Sequence, residues 1–157
     1  MIILGIDPGY GRLGYAVLEK NDKENLIDCG CLETTSKEEH SDRILKIADG
    51  VEKIIKKYKP EILAIEKIYF TTNQKTALKV SEIKGIITYL ALKNKMRLAE
   101  YTPLEVKIAV CGYGRAPKEQ IKKMVDLLIK VKNPPKNDDT YDAIALCLTC
   151  SATLPCR

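Results

Sequence analysis

Residues 2–9, IILGIDPG, form an apolar run that ends in a carboxylate and a turn. An uninterrupted run of apolar and small residues of this length is typical of a buried strand. Pro8 fixes the backbone angle φ and Gly9 tolerates positive φ, so the chain is expected to turn directly after Asp7. The stretch therefore predicts a first strand, Ile2–Asp7, with a single acidic side chain at its carboxyl end.

Two further strands are predicted before the first helix. Leu13–Leu18 and Leu26–Thr34 are mainly apolar, and the charged segment Glu19–Glu24 between them is typical of a turn. Three strands joined by short connections predict an antiparallel meander.

After the meander the apolar period changes to that of a helix. Ile44–Tyr58 carries apolar residues at helical spacing, Pro60 ends this helix, and Ile62–Glu66 is a short buried strand. The remaining predicted elements are a helix at about 74–93, a strand at Met96–Tyr101, helices at Pro103–Val110 and Pro117–Ile129, and a last helix from an N-cap at Asp138 to about Thr149. This order predicts an α/β fold, a mixed sheet of about five strands flanked by helices.

Length and composition limit the class of protein. The 157 residues fit a single domain, 1–157, with a tail that is expected to be loose from about residue 151. The apolar runs are much shorter than a membrane span and no secretory leader is visible, so we expect a cytoplasmic protein without a membrane partner. Of the six cysteines, Cys147 and Cys150 have C-x-x-C spacing, but the only histidine, His40, lies in a different, polar segment. Reduced, partly buried thiols are therefore favoured over a zinc site.

Charge is unevenly distributed along the chain. Residues 1–58 carry nine Lys or Arg against eleven Asp or Glu, whereas residues 59–157 carry seventeen against ten. The excess of positive charge in the second part fits a surface that faces a polyanion such as nucleic acid, although Lys-rich helices can equally be solvated faces.

Four carboxylates stand where a site could form. Asp7 and Glu66 each end an apolar strand, and open α/β sheets build their sites at the carboxyl ends of strands. Asp139 and Asp142 lie one helical turn apart and share a helix face, but Asp138 shares a face with Asp142 as well. Spacing alone therefore leaves 138 and 139 open, and each residue taken singly could be a turn, cap or solvated residue.

A cluster of carboxylates fits metal-dependent hydrolysis of a phosphodiester. Two divalent ions about 4 Å apart can neutralise the phosphate, activate a water and stabilise the leaving oxygen. Mg²⁺ prefers hard carboxylate oxygens as ligands. Without a cation, such carboxylates would repel one another and raise one another's pKa.

The sequence resembles the RuvC family of bacterial Holliday-junction resolvases through an ordered set of motifs that covers nearly the whole chain. The matching segments are Gly5-Ile6-Asp7-Pro8-Gly9, Ala64-Ile65-Glu66, Ala77-Leu78-Lys79-Val80 with Gly85, Glu100-Tyr101, Val106-Lys107 with Val110, Lys118, Met124-Val125 and Asp139-Thr140-Tyr141-Asp142-Ala143. The opening segment alone is shared with sugar kinases and chaperone ATPases. Those proteins need two such lobes around a nucleotide, and this chain is too short for two.

The resemblance implies an RNase H-like fold, a homodimer, and paired metal-dependent nicking of two strands of like polarity in four-way junction DNA, leaving 5′-phosphate ends. It implies two Mg²⁺ ions per active site, with Mn²⁺ as a possible substitute, and a branch-migration helicase complex as a partner. By residue, it assigns catalysis and metal binding to Asp7, Glu66, Asp139 and Asp142, and so selects Asp139 over Asp138.

The resemblance also implies DNA contacts. Lys107 and Lys118 match lysines near the scissile phosphate, and Tyr69 falls where an aromatic residue stacks on an unpaired base, a contact typically worth about 1–3 kcal/mol. The chain departs from the family at Tyr10-Gly11-Arg12, where Ser or Thr followed by Arg is expected, so Arg12 is a candidate phosphate contact one position later. Further candidate DNA contacts are Lys75, Lys79, Lys84, Arg115 and Lys122.

Two other functions stay open at this point. One is a nuclease of the same fold that acts on RNA or on an RNA–DNA hybrid. The other is a junction-binding scaffold without cleavage, which is disfavoured because a pure DNA binder gains nothing from carboxylates that face phosphate.

Overall fold

The structure is a computed structural model and describes residues 1–67, 74–131 and 134–154, with the backbone alone described at 74–76. It contains five strands and five helices in the predicted order. Their bounds are β1 Ile2–Asp7, β2 Arg12–Lys20, β3 Glu24–Glu33, α1 His40–Tyr58, β4 Ile62–Glu66, α2 Gln74–Lys93, β5 Arg97–Tyr101, α3 Pro103–Cys111, α4 Lys118–Leu128 and α5 Asp138–Thr153.

The strands form one mixed sheet in the order β3-β2-β1-β4-β5. The pairs β1–β2 and β2–β3 are antiparallel, as the predicted meander requires, whereas β1–β4 and β4–β5 are parallel. Parallel neighbours end at the same edge of a sheet, so the carboxyl ends of β1, β4 and β5 lie side by side. The predicted mixed α/β sheet is confirmed.

Helices cover both faces of the sheet, as parallel strands require. Successive strand residues point to opposite faces, so Ile3 and Ile62 pack with α3, α4 and α5, whereas Leu4 and Leu63 pack with α1 and α2. All four side chains are essentially inaccessible to solvent, and burying each one contributes about 1.5–3 kcal/mol. The two cores hold the sheet edge in a fixed position between the helix layers.

The last helix differs from its prediction at both ends. Its N-cap is Asn137 rather than Asp138, which is the first helical residue. The helix continues to Thr153 with Ser151 buried, so the loose tail predicted from about residue 151 is wrong for residues 151–153; residues 155–157 lie outside the described residues. The extension is stabilised by contacts from distant parts of the chain: Lys20 Nζ donates to the carbonyl oxygens of Ser151 and Leu154, the latter at 3.3 Å.

The expectations about membrane-spanning helices and about the cysteines can be compared with the fold. In the part of the chain that the structure describes, no helix is long and apolar enough to cross a membrane. The five described cysteines are all free thiols, and Cys147 and Cys150 are buried in α5, as expected for reduced core cysteines.

Candidate active site

The first two acidic residues of the site lie at the carboxyl ends of β1 and β4. Ile6 of β1 pairs with Ile65 of the parallel strand β4, so the next residues along these strands, Asp7 and Glu66, stand beside each other at the carboxyl edge. Both carboxyl groups are half-buried. The apolar run before each residue fixes its strand in the core and leaves its carboxylate at the edge.

Two glycines let α5 approach this edge. A Cβ atom at Gly14 would lie 1.9 Å from the carbonyl oxygen of Asp139, and one at Gly5 would lie 2.3 Å from that of Ala143. Gly14 pairs with Asp7 across β1 and β2, so the first turn of α5 sits directly over the strand that carries Asp7. The role of these glycines was not predicted from the sequence; the available signal was glycine inside a strand, which marks a close backbone approach.

The strand ends, α3, α4 and α5 enclose a cleft of about 360 Å³. Its charged lining consists of three carboxylates, Asp7, Glu66 and Asp142, and two lysines, Lys107 and Lys118. The remaining lining residues are Pro103, Val106, Ile121 and Leu146. An apolar wall lowers the local dielectric constant and strengthens every charge interaction inside the cleft.

The three carboxylates of the cleft resist ionisation. Burial raises the pKa of Asp7 to about 7, and the negative charges of Asp142, Glu66 and Asp139 raise it as well, while Lys118 acts in the opposite direction. Burial is also the main cause that raises the pKa of Glu66 and of Asp142. The positive charges around the cleft therefore do not offset the combined effect of burial and the neighbouring negative charges on these pKa values.

The fourth predicted carboxylate, Asp139, lies beside the cleft rather than in its lining. Arg12 Nε is 3.1 Å from Oδ2 of Asp139, but the pair is an ion contact rather than an aligned hydrogen bond: that oxygen is buried and accepts no hydrogen bond from the described residues. Asp142 is paired with Lys118, whose Nζ is 3.4 Å from Oδ2. Within the described ranges, no group of three or more His, Cys, Asp or Glu side chains is arranged to hold a metal ion.

The residues present nevertheless fit a hard divalent cation. The donors are carboxylate oxygens, the type that Mg²⁺ prefers. The buried Oδ2 of Asp139 lacks a hydrogen-bond donor, and the pKa of Asp7 is about 7, so both groups would gain from a nearby positive charge. The helix and strand ends bring all four carboxylates to one end of the molecule.

Comparison with known proteins decides the family. The family model described as "Crossover junction endodeoxyribonuclease RuvC" matches residues 3–150. The chain belongs to the RuvC family. The RuvC of Petrotoga mobilis is 47% identical over 146 residues, which cover 92% of this chain and 90% of that protein. The RuvC of Halothermothrix orenii is 44% identical over 147 residues, covering 93% and 89%.

Solved RuvC structures agree with this assignment. T. thermophilus RuvC in complex with a Holliday junction substrate superposes with a TM-score of 0.89 and 29% identity, covering 97% of this chain and 93% of that chain. RuvC membership confirms the resemblance and the RNase H-like fold predicted from the sequence, and it makes the chain a crossover junction endodeoxyribonuclease of a metal-dependent nuclease family.

The basic residues predicted as DNA contacts of a RuvC protein fall into different surroundings. Lys107 and Lys118 line the cleft with the carboxylates. Lys84 pairs with Glu100, with a side chain that is 17% exposed, and Lys122 pairs with Asp138 at 2.7 Å. These two lysines already have carboxylate partners, which were not predicted from the sequence.

The other predicted DNA contacts lie in different environments. Arg12 contacts Asp139, Lys79 lies over the ring of Tyr10, and Arg115 is exposed in the turn between α3 and α4. Tyr69 lies outside the described residues, and the side chain of Lys75 is not among those described.

Proposed function

We propose that this chain resolves four-way DNA junctions by paired, Mg²⁺-dependent nicking of two strands of like polarity, during homologous recombination and DNA repair. The observation that carries the proposal is the cleft in which Asp7, Glu66 and Asp142 face Lys107 and Lys118, in a chain of the RuvC family. A cleft with both carboxylates and lysines can hold cations and attract phosphate at the same place.

In this proposal Asp7, Glu66, Asp139 and Asp142 hold two Mg²⁺ ions, with Mn²⁺ as a substitute. When bound, the ions supply charge neutralisation at the phosphate and a water activated for in-line attack, which leaves a 5′-phosphate and a 3′-hydroxyl. Asp7 lies between the end of β4, which carries Glu66, and Gly14, which lies against the start of α5, so it would hold the metal together with carboxylates on both sides.

The lysines of the cleft act on the phosphate. The negative charge of Asp142 raises the pKa of Lys118, so this side chain stays protonated at the entrance of the cleft. Lys107 lines the same cleft from α3. Two ammonium groups beside the carboxylates counteract the repulsion between the acidic site and a DNA strand.

The proposed substrate implies that the protein acts as a homodimer. A four-way junction offers two strands of like polarity related by a twofold axis, so a homodimer presents two equivalent sites to them. A solved structure of T. thermophilus RuvC, which superposes on this chain, contains a Holliday junction substrate. We further propose that a branch-migration helicase complex is a partner of this protein. The proposed location is cytoplasmic, and residues 1–157 are proposed to form a single domain.

Cleavage of matched substrates tests the proposed function. The full chain is incubated with a labelled four-way junction, a linear duplex and an RNA–DNA hybrid of the same sequence, each with Mg²⁺ or with EDTA. We expect paired nicks in the junction alone, only with Mg²⁺. Asp7→Asn should abolish them, while Asp22→Asn, an exposed residue in the turn between β2 and β3, should not.

Three outcomes would contradict the proposal. Preferential cutting of the hybrid would keep the nuclease but reject the junction as substrate. Tight junction binding without cutting would indicate a scaffold. Unchanged cutting by Asp7→Asn would reject the cleft as the catalytic site.

A further inference from the structure

The turn between β1 and β2 connects two residues of the candidate site. It starts after Asp7 and ends at Arg12, whose guanidinium contacts Asp139. The turn is tight, because a Cβ atom at Gly9 would lie 1.9 Å from the carbonyl oxygen of Arg12. Any shift of this turn therefore moves both Asp7 and the partner of Asp139.

The backbone of the turn is fixed by the end of β3 and the start of α1. The carbonyl oxygen of Tyr10 accepts hydrogen bonds from Thr34 Oγ1 at 2.9 Å and from Arg43 Nη2 at 3.2 Å. The amide of Thr34 donates to the carbonyl oxygen of Gly11 at 2.9 Å. Arg43 Nε in turn donates to Thr34 Oγ1 at 3.0 Å, so the four hydrogen bonds form one connected set.

The side chain of Tyr10 connects these hydrogen bonds to α2. The guanidinium carbon of Arg43 lies 3.6 Å from the centre of the Tyr10 ring, and the Tyr10 hydroxyl is 2.7 Å from Nδ1 of His40. His40 Nε2 is 3.1 Å from a carboxylate oxygen of Glu82 on α2. Lys79, one turn before Glu82, has its Nζ 4.8 Å from the same ring.

We propose that Tyr10, Arg43 and His40 form a clamp that positions the turn between Asp7 and Arg12 for junction cleavage. Tyr10 is thus a positioning residue and not a DNA contact. Arg43 covers its ring and its hydroxyl is engaged by His40, so the ring has little surface left for a base. The clamp deepens the proposed function and rests on it. A shift of about 1 Å in a reacting group can lower a rate by about 100-fold, so a turn next to Asp7 needs such restraint.

Substitutions of Tyr10 test the clamp in the full chain. Tyr10→Ala removes the ring and should lower the single-turnover rate of junction cleavage at saturating DNA by about 10- to 100-fold. Its Kd for the junction, measured in EDTA, should stay within about twofold of wild type because the Tyr10 side chain itself makes no DNA contact in this proposal. Tyr10→Phe removes only the contact to His40 and should lower the rate by about tenfold or less.

A matched control exists at the other end of α1. Tyr58 also has a cation over its ring, Lys57 at 4.5 Å, and its hydroxyl donates to Asp28 at 2.6 Å. Tyr58→Phe and Tyr58→Ala should cleave junctions at the wild-type rate once thermal melting confirms that they are folded.

A second group of readouts needs no DNA. His40 is the only histidine of the chain, so its ring signals in an NMR spectrum are unambiguous. At constant pH, these signals should shift in Tyr10→Phe and in Glu82→Gln, and stay unchanged in Tyr58→Phe. Mg²⁺ titration calorimetry should also give weaker binding for Tyr10→Ala than for wild type.

The outcomes separate the clamp from the proposed function. If wild type does not cut junctions, the proposed function fails, while the His40 signals and Mg²⁺ affinity still decide whether the clamp exists. Wild-type cleavage by Tyr10→Ala would reject the clamp. A raised Kd with an unchanged saturated rate would instead make Tyr10 a DNA contact. If Tyr10→Ala does not fold, Tyr10→Phe and Arg43→Lys, which keeps the charge but loses the forked geometry, provide the same test.

Discussion

Replacing Asp7 with Asn should stabilise the metal-free protein at neutral and alkaline pH, although it removes a proposed metal ligand. Burial, followed by the charges of Asp142, Glu66 and Asp139, raises the pKa of Asp7 to about 7. The folded protein therefore disfavours the ionised form of this carboxyl. Asn has nearly the same shape and no charge, so the substitution removes the unfavourable charge and leaves the packing in place.

The sign and size of the effect follow from the pKa values in the two states. The pKa of Asp7 is about 7 in the folded protein and 3.8 in the unfolded chain, so the folded state binds the proton more tightly. Below pH 3.8 the carboxyl is neutral in both states and costs no stability. Its cost grows between pH 4 and pH 7 and is constant above. At about 1.4 kcal/mol per pKa unit the maximum is about 4 kcal/mol, and we expect about 2–4 kcal/mol because water enters the cleft.

Urea unfolding in EDTA at pH 5 and pH 8 measures this effect. Asp7→Asn should have a higher free energy of unfolding than wild type, and the difference between the two should be larger at pH 8 than at pH 5. The matched control, Asp22→Asn, removes one negative charge from an exposed turn and should change stability by less than about 0.5 kcal/mol. Excess Mg²⁺ should stabilise wild type more than Asp7→Asn, because an ion that binds only the folded state shifts unfolding by mass action.

Equal stability of Asp7→Asn and wild type at both pH values would refute the reasoning, since it would mean that the carboxyl is well solvated. A gain of the same size in Asp22→Asn would attribute the effect to net charge rather than to the cleft. A gain that is larger at pH 5 than at pH 8 would contradict the sign.

Two further substitutions test other parts of the site. Gly14→Ala should destabilise the protein by about 1–3 kcal/mol in urea unfolding and abolish junction cleavage, because its Cβ would lie 1.9 Å from the carbonyl oxygen of Asp139. Gly85→Ala, in α2 with no atom within 4 Å of the added Cβ, should instead stabilise by about 0.5–1 kcal/mol; equal effects would reject the close approach. Lys118→Gln should lower the saturated cleavage rate about 10- to 100-fold through lost charge at the phosphate, whereas the exposed Lys123→Gln on the same helix should not; equal rates would remove Lys118 from the mechanism.

The elements of the fold could be predicted because each has a local cause. Apolar runs and periods mark the strands and helices, and Asp-Pro-Gly marks the turn after β1. The positions of Asp7 and Glu66 at one edge also follow, because the carboxyl ends of parallel strands coincide there. The end of α5 does not follow from its own residues, since Lys20 from β2 caps it across more than a hundred positions.

Side-chain partners were the least predictable feature. Lys84 and Lys122 appear in the sequence as free basic residues of DNA-facing helices, yet Glu100 and Asp138 lie within ion-pair distance of them. Glu100 is far from Lys84 in sequence and becomes its neighbour only when β5 packs beside α2. Spacing along one helix can predict which residues share a face, but it cannot reveal a charge that another element brings.

The structure also explains how an unfavourable cluster of charges can exist in a folded protein. Nothing among the cleft carboxylates attracts them to one another; burial and mutual repulsion raise the pKa of three of them. Their positions are instead fixed by the backbone: two strand ends held by buried sheet residues, and α5 held against the sheet through Gly5 and Gly14. The core therefore offsets the repulsion before any cation binds. It follows that neutralising Asp7, Glu66 or Asp142 should stabilise the metal-free protein and at the same time weaken metal binding. Weakening the core should instead reduce the stability of both the metal-free and the metal-bound protein.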